Sequence, residues 1–464
     1  YTVERRTAQP RLRPIRRRPR LGPGACLSEP RVDAVVERMC VYGRKVGLGQ
    51  IDRINLSRLD PASQVGGALR QPFVHAVPSV PATVAAVRRM DNGPNGVILQ
   101  AMTYDTDIVI AGGGLNGTSL ALALASAGFG VTIVDPLPKT SRQAGDFDGR
   151  GYALAISSQR VLQALGVWQT VATDAQPILD VVVTDGRAGE GPSPFLLHFD
   201  HAEIEEGPMG YMIEDRLLRP ALLSALDDAG VTQVDEARIV AETPDASGIT
   251  VALDDGRSLR AKLLIGCDGK KSAIASRAGI RRTGWSYEQT ALVCAIQHEK
   301  PHHGTAHQFF MPPGPLAILP LTGNRASIVW TETDTEAARI QALGDEDYLA
   351  ELRPRFGSFL GDISLVGKRF TYPLNLSIAN AFVAERRALV GDAAHAVHPI
   401  TGQGLNAGLK DVAALAEVLT DARRRGEDFG RADVLARYQV WRRFDTATLA
   451  LATDTFNRLF SNDN

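Results

Sequence analysis

Apolar and polar positions change character abruptly along the chain. Up to about residue 101 no period of 2 or 3.6 is sustained. From Thr106, TDIVIAGGGLNGTSLALALASAGFGVTIVDP predicts a strand over Asp107–Ala111, a glycine turn, a helix over Asn116–Ala127 and a strand over Val131–Asp135. Residues 150–172 read as helical, DVVVTDG as a strand, and IEDRLLRPALLSALDDAG as an amphipathic helix ended by Gly230. GITVALDDGRSLRAKLLIGCDG predicts a hairpin turning at Asp255-Gly256, followed by a buried strand over Leu263–Cys267. Residues 285–372 read as β-rich with one helix near 334–353. A strand over Ala388–Val390 then precedes helices that run to the end.

The first glycine turn carries chemistry. Gly112, Gly114 and Gly117 form G-x-G-x-x-G between strand and helix. The first glycine permits the tight turn, the second lets backbone approach a pyrophosphate, and the third lets helix pack on strand. The helix N-terminus adds N–H groups and the positive end of its dipole. Asp135 closes the second strand, where an acid accepts the adenosine ribose hydroxyls. An acid there, and not an arginine, speaks against a 2′-phosphate. Dinucleotide binding follows, with NAD and FAD still open.

Residues 391–411, GDAAHAVHPITGQGLNAGLKD, decide between them. Two histidines beside an acid raise a metal site or a catalytic triad. Pro399 interrupts the helix that would align His395 with His398, no third ligand is near, and no nucleophile elbow accompanies them. The glycines between Pro399 and Gly404 instead allow flat, unhindered approach of backbone to a ring. A helix beginning near Leu405–Asn406 aims its N-terminus at that loop, which suits the negative charge of a reduced flavin. Gly391-Asp392 ends a strand, and Asp392 is placed to accept from ribityl hydroxyls.

The stretch resembles the GD motif of class A flavoprotein aromatic hydroxylases. LLIGCDGKKSAIASRAGI resembles their DG motif, and DGRGYALAISSQRVLQALGVW the segment that brings an arginine to the cofactor. FFMPPGPLAILPLTGNRASIVWTET and TDTFNRLFSND are most similar to the ubiquinone-biosynthesis hydroxylases within that class. The resemblance implies an α/β fold: a Rossmann-type FAD-binding domain of para-hydroxybenzoate-hydroxylase type, an inserted β-sheet substrate domain, and C-terminal helices. The division expected is 102–178, 212–280 and 374–425 for the FAD domain, 179–211 and 281–373 for the substrate domain, and 426–464 for a helical region shorter than the family's usual one. Carried over by motif, the cofactor residues are Gly112, Gly114, Gly117, Asp135, Arg150, Asp268, Gly391, Asp392, Pro399, Gly402, Gly404 and Asn406. Lys270-Lys271 depart from the DG pattern, which leaves the nicotinamide contact there in doubt.

The implied chemistry is FAD-dependent hydroxylation of a polyprenylated phenol. NAD(P)H serves as transient reductant without a domain of its own, and O2 reacts to a flavin C4a-hydroperoxide. No acid–base side chain is required, so no catalytic residue is named. Two rivals stay open. One is a soluble phenol or benzoate hydroxylase, which a polar pocket with an arginine would favour and a long apolar tunnel would exclude. The other is a flavin-binding assembly subunit without turnover. Partners implied are the prenylated phenol, O2 and other ubiquinone-biosynthesis proteins, with no nucleic acid.

Charge adds a second boundary. The net charge of −1 hides an excess of +10 in residues 1–101, which hold 17 Lys+Arg against 7 Asp+Glu, and of −11 in the remainder, with 34 against 45. The leader reads as an unpatterned basic extension, either not native or a transit peptide or basic arm. The location expected is cytoplasmic and peripheral on the inner membrane, or the mitochondrial matrix if the leader is a transit peptide. Cys26, Cys40, Cys267 and Cys294 lie too far apart for a CxxC pair and read as reduced thiols. HEKPHHGTAH, with His298, His302, His303 and His307, reads as a solvated loop and not a metal site. Arg281-Arg282 and Arg423–Arg425 read as solvated faces, and Trp285, Trp330 and Trp441 as packing residues.

Overall fold

The computed structural model describes residues 103–143, 150–204 and 207–461. The basic leader, Met102, Cys26 and Cys40 lie outside the described residues.

Six strands carry the nucleotide fingerprint, in the order Val383–Ala384, Arg387–Leu389, Leu263–Gly266, Ile108–Ala111, Val131–Val134 and Thr232–Val234. All neighbours are parallel except the first pair. Ile108 to Ile110 and Leu263 to Ile265 have no exposed surface. Parallel strands are covered on both faces, so they read as unbroken apolar runs and not as alternation. Helix Leu115–Ser126, apolar around most of its circumference, packs against helix Gln403–Arg424.

A second sheet of eight strands begins with His395–Ala396 and Ile363–Ala379 and continues through Arg282–His298, Arg325–Thr333, Leu316–Leu321 and Thr305–Phe310. It ends with Asp180–Arg187 and Gly191–Asp200, the last at its edge. Thr305–Phe310 and Asp180–Arg187 pair in parallel; the other pairs are antiparallel. Helices Asp334–Gln341 and Asp345–Phe356 cover one face around Trp330, Tyr348 and Phe356. The other face looks toward the cofactor loop. Terminal helix Ala432–Phe460 ties both sheets together: the Tyr438 hydroxyl donates to the Leu389 carbonyl at 2.7 Å, and Asn457 Nδ2 to Gln289 Oε1 at 3.0 Å.

Several local expectations give way to tertiary context. The segment read as helical from 150 opens with strand Gly151–Ala155, paired antiparallel to Gly210–Glu214, before helix Ile156–Ala164. Pairing with a partner some sixty residues on overrides the helix propensity of its alanines and leucine. The helix near 334–353 is two helices, the second starting after Gly344. His298 is buried, not solvated, and its Nδ1 bonds the Lys300 carbonyl at 2.8 Å; His302 Nε2 bonds the Leu321 carbonyl at 2.8 Å. His298 and His302 meet edge to face at 5.5 Å, while His307 lies in a strand with its ring on Phe359. Trp330 is buried, whereas Trp285 and Trp441 remain exposed.

Candidate functional site

The fingerprint turn is shaped by three different constraints. Gly112 has φ 103°, and a Cβ there would stand 2.5 Å from the Cys267 carbonyl oxygen. A Cβ on Gly117 would come within 2.0 Å of the Gly112 oxygen. Gly114 differs: nothing lies within 4 Å of its Cβ position. Open space over the first turn of the helix is what a pyrophosphate requires. Asp135 is buried, with Oδ2 accepting from Gly113 N–H at 2.6 Å and Oδ1 from Leu137 N–H at 2.8 Å. It therefore braces the turn as well as standing where a ribose would lie. Buried Arg142 adds a cation there: it pairs with Asp235 and lies 3.9 Å from Asp135. The sequence reading missed it, because nothing local marks it.

Asp268 caps helix Ala273–Arg277, its Oδ2 accepting from Ala273 N–H at 2.7 Å and Ile274 N–H at 3.1 Å. Its Oδ1 is buried without a partner, and so is Asn116 Oδ1. Asn116 is held by close approach: a Cβ on Gly391 or Gly408 would stand 2.2 or 2.3 Å from its Nδ2. Buried acceptors are rarely left unsatisfied. The Asn116 oxygen stands 2.4 Å from the Cβ position of Gly408, so the amide is packed between helix Gln403–Arg424 and the Gly391 turn.

The second half of the site is the turn Gly391–Ala393 and the loop to Gly404. Two side chains hold the turn. Asp411, fully buried, accepts from Gly391 N–H at 2.9 Å, from His395 Nε2 at 2.6 Å and from Arg442 Nε at 2.6 Å. Arg282, expected on a solvated face, instead donates to the carbonyls of Ala393, Asp392 and Ser377. Asp392 is exposed, but the space it faces is a cavity inside the protein. Burial pushes its carboxyl above the ordinary range, while His395, Lys270 and Arg282 pull it down.

His398 answers the question of the paired histidines. It is wholly buried, stacked edge-on against Tyr287 at 5.0 Å, and burial lowers it to about 4, so it is neutral near pH 7. His395 and His398 thus serve different neighbours. Gly402 sits at φ 64° with its Cβ position 3.2 Å from the Ala153 Cβ, while the Cβ position of Gly404 is open. The following helix starts at Gln403, two residues before the expected onset, so its first turn lines the cavity. Asn406 faces the protein: Oδ1 accepts from Ala155 N–H at 2.9 Å and Ser158 Oγ at 2.6 Å, and Nδ2 donates to the carbonyls of Ala153 and Gly402. It anchors the loop to strand Gly151–Ala155.

Pro399, Gly402, Gly404, Asp392, Arg150 and Lys270 line one end of a cavity of about 1210 Å³. The remainder is walled mainly by apolar side chains of the eight-stranded sheet, among them Val181, Val293, Leu319, Val329 and Leu374. Arg150 is tied to Asp215 at 3.1 Å, which also accepts from Tyr152 at 2.8 Å and from Arg219. Of the twelve expected residues, Arg150, Asp392, Pro399, Gly402 and Gly404 line this cavity, Gly391 and Asn406 brace its loop from behind, and Gly112, Gly114, Gly117, Asp135 and Asp268 stand at the ends of strands Ile108–Ala111, Val131–Val134 and Leu263–Gly266. The open Cβ positions of Gly114 and Gly404 are those at which backbone would approach a pyrophosphate and a flat ring, and Asp392 would accept from a polyol between them.

Comparison with known proteins agrees. A family model described as FAD binding domain matches residues 105–444. The chain is 46% identical over 358 residues to ubiquinone hydroxylase UbiL of Rhodospirillum rubrum, covering 77% of this chain and 82% of that one. It is 35% identical to 3-demethoxyubiquinol 3-hydroxylase of Escherichia coli, covering 77% and 90%. Among solved structures, PqsL of Pseudomonas aeruginosa, titled a probable FAD-dependent monooxygenase, superposes with a TM-score of 0.64 at 24% identity, covering 77% and 97%; at that identity it speaks for the fold alone.

Proposed function

The chain belongs to the FAD binding domain family, and on that premise we propose an FAD-dependent monooxygenase that hydroxylates the aromatic ring of a polyprenylated phenol in ubiquinone biosynthesis. The observation that carries the reading is one cavity with two unlike ends. A polar glycine loop with Asp392 forms one, and apolar strands form the other.

Bound FAD supplies, once reduced by NAD(P)H, the activation of O2 and delivery of one oxygen atom to the ring. The protein does the rest. The first turn of helix Gln403–Arg424 presents N–H groups and a positive dipole end where the ring system's negative charge would lie. Asn406 and Gly402 hold the loop flat against strand Gly151–Ala155. Apolar walls keep water from the reacting atoms and fix the orientation of the phenol.

The soluble benzoate-type rival expects an arginine free to take a carboxylate. Among the described lining residues the cations are Arg150 and Lys270, both at the cofactor end, and Arg150 is already bound to Asp215. A scaffold subunit has no use for so constrained a loop. For location we infer peripheral attachment to the membrane that holds the substrate. Among the described residues no helix is long and apolar enough to cross a membrane. The terminal helix nonetheless leaves Val440, Phe444 and Leu451 exposed. The test is direct: purified protein should release FAD on denaturation and couple NAD(P)H oxidation to hydroxylation of a prenylated phenol. A colourless protein that takes up no FAD refutes the reading.

A further inference from the structure

The edge strand Gly191–Asp200 carries prolines at 192 and 194 in its first half, but its second half breaks the usual rule for an exposed edge. Such strands protect themselves with charge, proline or short length. Here three consecutive apolar residues, Phe195, Leu196 and Leu197, are exposed, with Phe195 at 84% and Leu197 at 63%, and Phe199 is exposed as well. Runs of this kind on a surface mark a site of use. Successive strand residues point to opposite faces, so the run cannot be explained by one buried face turned slightly outward.

The same four residues also line the cavity. Phe456 and Phe460, from the end of the terminal helix, line the same cavity. Phe460 lies 4.8 Å from Phe310 on the cavity wall and 6.1 Å from Phe456. Two elements remote in sequence therefore bring aromatic and aliphatic side chains to a single opening. The apolar surface is continuous from the interior wall, through the opening, onto the outside.

We propose that this opening is a portal that holds the isoprenoid tail of the substrate, lined by Phe195, Leu197 and Phe199 from the edge strand and by Phe456 and Phe460 from the terminal helix. The proposal rests on the reading of the substrate as a prenylated phenol. A cavity of about 1210 Å³ exceeds the roughly 300–1,000 Å³ of a small-molecule site, and the cofactor's ring occupies part of it. A phenol ring fills little of what remains, and a long tail cannot be contained in it. The tail must leave, and it leaves at least cost where apolar surface is unbroken. A flat face for a second copy of the chain, or for lipid alone, would not need side chains that also turn inward to the cavity.

The test uses the full chain loaded with FAD, and two phenols of the same ring, one without a tail and one farnesylated. In the double variant Phe195→Ser/Leu197→Ser the KM for the farnesylated phenol should rise about 10- to 100-fold, since each buried apolar side chain contributes on the order of tenfold or more in affinity. The KM for the tail-less phenol should rise far less, so that the ratio of the two KM values changes about 10-fold or more. Equal effects on both substrates, or none on either, overturn the portal.

A farnesylated phenol with a diazirine on its last isoprene gives a readout independent of turnover. Its crosslinks should fall on peptides containing Phe195–Phe199 or Phe456–Phe460, and labelling elsewhere overturns the proposal. If labelling falls there while wild type hydroxylates no prenylated phenol, the functional reading fails and the portal stands. If the double variant keeps its KM but loses flotation with vesicles, or loses a dimer in sedimentation, the rim is a membrane or self-association face and the portal is wrong.

Discussion

Replacing Asp411 by Asn probes the strut beneath the cofactor turn without touching the cavity. The carboxylate is fully buried and receives three donors: Gly391 N–H at 2.9 Å, His395 Nε2 and Arg442 Nε at 2.6 Å. An amide offers one oxygen and turns an NH2 toward the others, so at least one donor faces another donor. Arg442, almost fully buried, keeps only Asp445 at 2.6 Å. Breaking a buried ion pair costs about 3–5 kcal/mol; the surviving Asp445 contact places the expectation near 3 kcal/mol at the low end of that range. At about 2 °C per kcal/mol for a large domain, the melting temperature should fall by roughly 6 °C. FAD retention should weaken too, since the Gly391 turn loses its anchor. The pH dependence has a definite sign. Burial raises the Asp411 carboxyl, but His395 and Arg442 outweigh it and hold the group below its ordinary 3.8. Its contribution is therefore complete above pH 3.8 and is lost as pH falls below it. The variant should lack that part of the acid destabilisation. Calorimetry of both proteins across pH, with flavin absorbance after dialysis, measures each point. A variant that melts within a degree of wild type and keeps its FAD refutes the strut.

Other substitutions separate folding from binding. Gly114→Val should fold normally, because its Cβ position is open, yet purify without FAD; flavin absorbance beside an unchanged apoprotein melt checks this. Gly117→Ala should fail to accumulate as folded protein, since its methyl would stand 2.0 Å from the Gly112 oxygen, and soluble yield decides. Gly404→Val, also in open space, should retain part of its FAD but divert NAD(P)H oxidation to hydrogen peroxide, because a displaced ring admits water; a fully coupled variant would mean the loop does not face the ring. Ser158→Ala removes the 2.6 Å bond to Asn406 and should cost about 1 kcal/mol in a denaturant melt, with a small rise in uncoupling.

The fingerprint turn, the GD loop and the strands Ile108–Ala111, Val131–Val134 and Leu263–Gly266 were legible because their signals are local. Glycine spacing, strand-ending acids and unbroken apolar runs all act within about thirty residues. Strand Gly151–Ala155 was not legible, since only its partner Gly210–Glu214 makes it a strand. Arg282 read as part of a solvated face, and nothing local singled out Arg142 or Arg442. Each is defined by an acceptor brought from elsewhere: the Ala393 carbonyl, Asp235 and Asp411. His395 and His398 looked alike in sequence and differ in the structure, one bonded to a buried carboxylate and the other packed neutral on a ring. Cofactor class thus lay in the sequence, because backbone geometry and residue spacing select the phosphates and the ring. The cavity and its opening were decided only by the tertiary structure. An edge strand and the end of the last helix, some 260 residues apart, meet there through packing that no local pattern encodes.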